Sequence, residues 1–212
     1  WGYFTAMLVV LLVHFAVTRR SPVAYLVTPK RTLQVIRAGC LVGSLSCLYV
    51  ALQYMPLAEG TTISFTSPLF AVALAGPLLG ERVGWRRWAA VLGAMAGAML
   101  VVRPGSELFR LVSLLPFVGA IFFALFNVIT RKLDGEPFET TLLYTFGAGA
   151  VMTSVSMPWV WQTPTLAEWA IFIVMGALGA LAHLGIVRAL ENADVSVVAP
   201  LNYVRLIWAL GL

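Results

Sequence analysis

The sequence predicts an all-α, polytopic transmembrane helix bundle, and three observations lead to this prediction. The 212 residues are 60% hydrophobic and 11% charged, with a mean hydropathy of +0.91, whereas soluble domains carry about 25% charged residues. The apolar residues form eight runs, most of which approach the ~20 residues needed to cross a bilayer. The basic residues collect on alternate connections, as expected when successive helices cross in opposite directions.

The eight runs, designated A to H, are predicted to be the membrane-spanning helices. They cover A (1–18), B (36–55), C (61–79), D (85–103), E (111–131), F (140–161), G (167–190) and H (195–212). Only the connection between A and B is long. The remaining connections are too short for a soluble domain, so one integral membrane domain is expected.

The positions of Lys and Arg predict the orientation of the helices. Eleven of the 14 basic residues lie on or beside the A–B, C–D, E–F and G–H connections, and Arg37 is counted among them. Only Arg103 and Arg110 lie on the alternate connections, and Arg205 lies within H. Because basic connections tend to stay in the cytoplasm, A is expected to begin outside. The C–D turn, with Glu81, Arg82, Arg86 and Arg87, is interpreted as a solvated cytoplasmic turn.

An internal repeat appears when the sequence is compared with itself at a shift of 138 residues. Segments A, B and C then fall on F, G and H. Since A runs inward and F runs outward, the two copies have opposite topology, which is the plan of many secondary transporters. The repeats are predicted to be 1–105 and 106–212. Their symmetry requires one helix before A and one after H, so eight spans of an expected ten are present.

Short stretches in both halves resemble the EamA-type drug/metabolite transporter family. They are Ala51–Glu59, Ser67–Phe70, Leu79–Arg82 and Arg103–Gly105 in the first half, and Ala189–Asp194, Val198–Tyr203 and Arg205–Leu206 in the second. Their order covers essentially the whole chain, as the family's second to ninth helices. The resemblance implies a ten-helix transporter of metabolites in a bacterial cytoplasmic membrane. Its central cavity would be lined mainly by B, C, E, G, H and the helix that precedes A.

Arg205 is the strongest candidate for binding a substrate. It lies about ten residues into H, or roughly 15 Å at 1.5 Å per residue, which is near the bilayer midplane. A charge at that depth costs at least ~2.5–3.5 kcal/mol, so it is expected to face a cavity or a partner. Arg205 is predicted to attract an anionic group of the substrate or a carboxylate of the protein, with Asn202 adding a hydrogen bond. A structural tether to backbone carbonyls is the alternative.

Other polar residues and two prolines in the apolar runs are candidates for the same substrate path. Thr62 and Thr66 lie one turn apart in C, where their hydroxyls either line a polar path or bond to their own helix. Pro68 in C and Pro200 in H interrupt paired helices, which points to a binding site in transporters, although such kinks also occur in ordinary membrane helices. Tyr203 belongs to the same predicted set.

Asn127 in E and His183 in G complete the candidates. Asn127 lies in a run with the phenylalanines of 122–126, a combination that would hydrogen-bond and stack a planar substrate, or would simply form core packing. His183 is either part of a proton relay or a neutral packed histidine. Neither residue has a neighbour in sequence that decides between these alternatives.

The sequence therefore predicts a secondary transporter that moves a small metabolite or drug-like solute by alternating access around a midplane cavity between the repeats. An integral-membrane enzyme and a non-transporting membrane subunit are the alternatives. An enzyme is not expected, because the nine acidic residues are scattered and show no metal-ligand or general-base spacing. No catalytic residue, metal or cofactor is predicted. The expected partners are a small-molecule substrate and lipid, without nucleic acid; a coupling proton or ion and a homodimer are left open.

Overall fold

The computed structural model describes residues 1–102, 111–155 and 157–204, and this part of the chain contains helices and no β-strand. The α-helices are α1 (Gly2–Val17), α2 (Arg31–Ala51), α3 (Leu57–Ser64), α4 (Ser67–Leu79), α5 (Trp85–Val102), α6 (Leu114–Lys132), α7 (Phe138–Ser154), α8 (Met157–Val160), α9 (Leu166–Asn192) and α10 (Val195–Val198). Short 3-10 segments cover Pro22–Leu26, Leu111–Ser113 and Ala199–Val204. The predicted all-α class is thus confirmed for the described residues.

Four helical stretches in the described part of the chain are long and apolar enough to cross a membrane. They are Arg31–Ala51, Leu57–Leu79, Leu111–Lys132 and Leu166–Asn192, and two shorter apolar helices cover Gly2–Val17 and Val195–Val204. The chain is therefore a multi-pass helical membrane protein. That all eight runs cross the bilayer stays a prediction.

Each of the segments A to H contains a helix, but the boundaries differ from those predicted. The helix in B begins at Arg31 rather than at 36, because polar residues of its first turns are buried against protein instead of marking a solvated end. The helix in C begins at Leu57 and is divided at 65–66, so that it forms α3 and α4. The earlier start of the helix in B coincides with the burial of Gln34 and Arg37, which hydropathy does not report, whereas the division of C coincides with Pro68.

The first of two compact units in the chain comprises Trp1–Val42 and Leu133–Glu191. Within it α1 packs along α7, and the ring of Phe4 lies so close to Gly149 that a Cβ there would overlap it. Gly176 of α9 approaches Ala6 of α1 in the same way. Small residues at such crossings let membrane helices pack closely, and these glycines therefore determine how tightly α1 is held.

The long connection between α1 and α2 is tied to the start of α7 in the same unit. Arg20 forms an ion pair of 2.6 Å with Glu139, and the Thr28 hydroxyl donates to Glu136 at 2.5 Å. The Tyr144 hydroxyl donates to the carbonyl oxygen of a residue in the 3-10 segment Pro22–Leu26, at 2.7 Å. Because these bonds join positions more than 100 residues apart, the connection is part of the folded unit.

The second unit comprises Gly43–Lys132 and Asn192–Leu212, of which 103–110 and 205–212 lie outside the described residues. Its main contact is between α4 and α6. A Cβ at Gly119 of α6 would lie 3.0 Å from the Ser44 carbonyl oxygen and 3.2 Å from Cys47 Cβ, so α6 also packs closely on the second half of α2. Each unit contains elements from both halves of the chain. That the halves 1–105 and 106–212 are two repeats stays a prediction from the sequence.

Candidate functional site

The helix in segment C is interrupted where the sequence places Pro68. α3 ends at Ser64, and α4 begins at Ser67 with Pro68 in its first turn. Phe65 and Thr66, between the two helices, bond through their N–H groups to carbonyls of α3. Proline cannot donate to the helix behind it, so this break leaves backbone carbonyl oxygens available to other partners.

Tyr203 from segment H supplies the partner for one of these carbonyls. Its hydroxyl donates to the Phe65 carbonyl oxygen at 2.6 Å, and the two rings stack with centroids 5.8 Å apart. Tyr203 lies in the 3-10 segment Ala199–Val204 that contains Pro200, so the interruptions of C and H contact each other. Tyr203 and Phe65, both buried, form the centre of the candidate site in the second unit.

The two threonines of segment C bond within their own helix. The Thr62 hydroxyl donates to the Ala58 carbonyl at 2.7 Å, and the Thr66 hydroxyl donates to the Ile63 carbonyl at 2.7 Å. This geometry satisfies both hydroxyls locally, as is common for threonine in membrane helices. It favours the packing interpretation of Thr62 over a polar path, since Thr62 is also buried.

The two asparagines of the candidate set lie in different elements. Asn202 donates from Nδ2 to the Ala199 carbonyl at 3.2 Å. Asn127 lies in α6 and is 7% exposed. Nearby in α6 the rings of Phe123 and Phe126 stack at 5.7 Å.

His183 lies in the first unit, where it is buried among aromatic side chains. Its Nε2 is 3.4 Å from the Tyr3 hydroxyl, and its ring meets the edge of Phe146 with centroids 5.7 Å apart. These contacts place His183 between α1 and α7. They fit a packed histidine, which is one of the two alternatives that the sequence leaves open.

Arg37 is a residue whose position the sequence interpretation did not anticipate. It was counted among basic residues at the ends of apolar runs, but it is fully buried in α2. Its guanidinium donates to the Thr141 carbonyl at 3.3 Å and to the Thr145 hydroxyl, and Gln34 donates to the Thr141 hydroxyl at 3.2 Å. The predicted start of segment B at 36 puts Arg37 at a helix end, whereas α2 begins at Arg31, so that Arg37 lies six residues, about 9 Å, into the helix.

Arg205, the strongest candidate from the sequence, lies outside the described residues. Of the other candidates, Thr62, Thr66, Pro68, Asn127, Pro200, Asn202 and Tyr203 lie in the second unit, and His183 lies in the first. Within the described residues there is no group of three or more His, Cys, Asp or Glu that could hold a metal ion. The candidate site is therefore one of amide, hydroxyl and aromatic groups beside two helix interruptions.

Comparison with known proteins identifies one family that the first part of the chain matches. Residues 1–103 match the EamA-like transporter family. A protein crystal structure superimposes with a TM-score of 0.79 at 21% identity, covering 96% of this chain and 72% of that one. At this identity the likeness concerns the fold alone.

Several named bacterial transporters are similar in sequence. The chain is 28% identical over 181 residues to an S-adenosylmethionine uptake transporter of Rickettsia bellii, which covers 85% of this chain and 62% of the relative. It is 34% identical over 159 residues to a riboflavin transporter of Vibrio cholerae (74% and 53%), and 26% identical over 172 residues to a pseudopaline exporter of Pseudomonas aeruginosa (79% and 60%). The chain thus spans less than two thirds of the length of these relatives.

Proposed function

We propose that the chain is the central part of a secondary transporter for a small metabolite, because its residues 1–103 match the EamA-like transporter family. In this proposal the intact protein has ten spans in two inverted repeats, and a polar cavity near mid-depth alternately opens to the two sides of the membrane. The observation that carries the proposal is the contact between the interruptions of segments C and H, through Phe65 and Tyr203.

The position of this contact supports the inverted repeat. Phe65 and Tyr203 are 138 positions apart, which is the shift that superimposes the two halves of the sequence. When a two-fold axis relates two copies, residues beside the axis lie next to their own counterparts. A contact between counterparts is therefore expected at the axis and would be a coincidence without symmetry.

A second set of contacts in the first unit supports the same symmetry. Arg37 of α2 bonds to Thr145 of α7. Moving each residue by 138 positions, in opposite directions, leads to positions 175 and 7. Position 175 is Met175, and the next residue, Gly176 of α9, packs against Met7 of α1, with a Cβ at Gly176 placed 3.1 Å from the Met7 nitrogen. The pair of α2 with α7 thus has a counterpart in the pair of α9 with α1.

The substrate-binding residues are proposed from both sequence and contacts. Asn127 offers an amide in the buried part of α6, and Asn202 and Tyr203 lie at the interruption of H. Thr62, Thr66, Pro68 and Pro200 shape the two interruptions, and His183 stays a candidate of the first unit. Arg205 is assigned the recognition of an anionic group, since a charge near mid-depth requires a partner or a cavity.

The relatives suggest which solutes to test first. They are named for S-adenosylmethionine, riboflavin and pseudopaline, and they include uptake proteins and an exporter, so the proposal does not fix a direction. The proposed location is a bacterial inner membrane. Coupling to a proton or ion and assembly as a homodimer are compatible additions.

The test uses the full-length protein purified and reconstituted into proteoliposomes. A thermal-shift screen with riboflavin, S-adenosylmethionine, amino acids, nucleosides and organic anions is expected to find a ligand that raises the melting temperature, because a ligand of the folded state stabilises it. That ligand should then be transported. If no solute in a broad screen stabilises the protein or crosses the vesicle membrane, the transporter proposal is wrong.

Arg205→Ala provides the residue-level test, with Arg82→Ala as its matched control. Arg82 is an exposed cation on the C–D turn. Arg205→Ala is expected to abolish transport while membrane insertion stays normal, and Arg82→Ala is expected to leave both unchanged. Transport at the wild-type rate by Arg205→Ala would remove this residue from the site.

A further inference from the structure

The turn that ends α4 directs an acidic side chain toward segment H. Gly80 adopts a left-handed conformation with φ of 73°, which a glycine adopts at no steric cost. Its N–H bonds to the Gly76 carbonyl at 2.9 Å, and the next N–H, of Glu81, bonds to the Ala75 carbonyl at 3.3 Å. This αL cap reverses the chain directly after α4, and Glu81 is the first side chain beyond it.

The Glu81 carboxylate binds the start of α10 through three hydrogen bonds. It accepts from the Val195 N–H at 2.9 Å, from the Ser196 N–H at 3.1 Å and from the Ser196 hydroxyl at 2.7 Å. Val195 and Ser196 are almost fully buried. The first N–H groups of a helix have no partner within the helix, and leaving them unpaired away from water is costly. Glu81 therefore satisfies what the helix itself cannot.

Asp194 would be expected to cap α10, because aspartate is a preferred residue at this position. It makes no such side-chain bond. Its carboxylate instead pairs with Arg87 of α5 at 3.2 Å, and Arg87 also donates to the Ser196 hydroxyl. Glu81, from another segment, thus takes the place of a local cap of α10. We refer to Glu81, Arg87, Asp194 and Ser196 as the Glu81 clamp.

We propose that Glu81 is a positioning residue for the transport site, because its carboxylate fixes the start of the segment that carries Pro200, Asn202 and Tyr203. α10 leads without a break into the 3-10 segment Ala199–Val204, so displacement of its first turn displaces the interruption that bonds to Phe65. The clamp also joins that segment to the end of α4 and the start of α5. These three elements therefore move together when the C–D turn moves.

The role of Glu81 in transport rests on the transport function proposed above. That Glu81 holds the start of α10 in place can be tested without a substrate. The protein is the full-length chain with Cys40 and Cys47 replaced by alanine. A nitroxide label is attached at Val197→Cys, an exposed position of α10, or at Leu92→Cys, an exposed position of α5. The spectrum of the label reports how freely its own segment moves.

Glu81→Ala is expected to increase label mobility at position 197 and to leave the label at 92 unchanged. Glu81→Gln, which keeps one acceptor oxygen without the charge, should give an intermediate spectrum, since hydrogen bonds to charged acceptors are the stronger ones. Arg82→Gln is the control, because Arg82 is exposed beside Glu81 and makes no hydrogen bond or ion pair among the described residues. Its spectrum should match that of the parent.

An unchanged spectrum at 197 in folded Glu81→Ala overturns the proposal, and so does an equal change at 92, which would indicate general loosening. If Glu81→Ala does not fold, the comparison of Glu81→Gln with Arg82→Gln decides in the same way. Uptake of riboflavin or S-adenosylmethionine, where the parent shows it, should fall at least several-fold in Glu81→Ala. If the parent protein takes up neither solute, this result contradicts the proposed transport function and leaves the test of the Glu81 hydrogen bonds unaffected.

Discussion

Gly176→Ala tests the packing of α9 on α1 with a single added carbon. The new Cβ would lie 2.5 Å from Ala6 Cβ and 2.8 Å from the Ala6 carbonyl carbon, whereas carbon atoms in optimal contact are about 3.5–4.0 Å apart. Ala6 Cβ and the backbone cannot rotate away as a long side chain can. The two helices must therefore separate by roughly 1 Å.

The expected loss of stability follows from this overlap. Overpacking of a well-packed core by one methyl-sized group costs about 1–3 kcal/mol. For a chain of this size each kcal/mol corresponds to about 2–4 °C, so the melting temperature in detergent should fall by roughly 2–12 °C. The gain from replacing a helical glycine, about 0.5–1 kcal/mol, offsets only part of the cost.

The assay is thermal unfolding of the full-length protein, followed by the fluorescence of its tryptophans or by loss of the monodisperse peak after heating. Gly39→Ala is the matched control, since a Cβ at Gly39 of α2 would meet only the Met152 methyl group, at 3.7 Å, an ordinary contact. The control should be as stable as the parent or slightly more stable. Equal stability of Gly176→Ala and Gly39→Ala would refute the close approach of α9 to α1.

Two further substitutions test single hydrogen bonds. Tyr203→Phe keeps the ring stacked on Phe65 but removes its 2.6 Å hydrogen bond. The free energy of unfolding is expected to fall by about 0.5–1.5 kcal/mol in thermal unfolding. An unchanged value would mean that water replaces the hydroxyl. Thr145→Val leaves the guanidinium of Arg37 without one acceptor in a buried place. A loss of about 1.5–3 kcal/mol is expected, and unchanged stability would show that the other contacts of Arg37 suffice.

Much of the architecture was predictable because it depends on local composition. Runs of apolar residues as long as a bilayer is thick can only be helices there, and the structure has a helix in every such run within its described residues. Gly80 and the prolines at 56, 68 and 137 stand where helices end, break or begin. Composition also placed the interruption of C, since proline weakens a helix wherever it occurs.

The candidate site was predictable only in part. Tyr203 and Asn127 are polar groups in apolar runs, but the sequence could not show that Tyr203 bonds to a carbonyl of segment C or that Asn127 is only 7% exposed. The choice between substrate path and packing for Thr62 depended on which oxygen its hydroxyl reaches. Such choices are made by distances of a few ångströms that periodicity does not specify.

The sequence by itself determined the class of the protein, the order of its helices and the places where they are interrupted, because these depend on neighbours within one or two turns. Only the tertiary structure decided that Arg37 is buried against α7, that Glu81 and not Asp194 caps α10, and that Phe65 meets Tyr203. Each of these pairs joins residues 104 to 138 positions apart. The physical reason is that an arginine or glutamate near a helix end can be either solvated by water or paired with another group. Which of these occurs depends on whether a helix distant in sequence packs beside it.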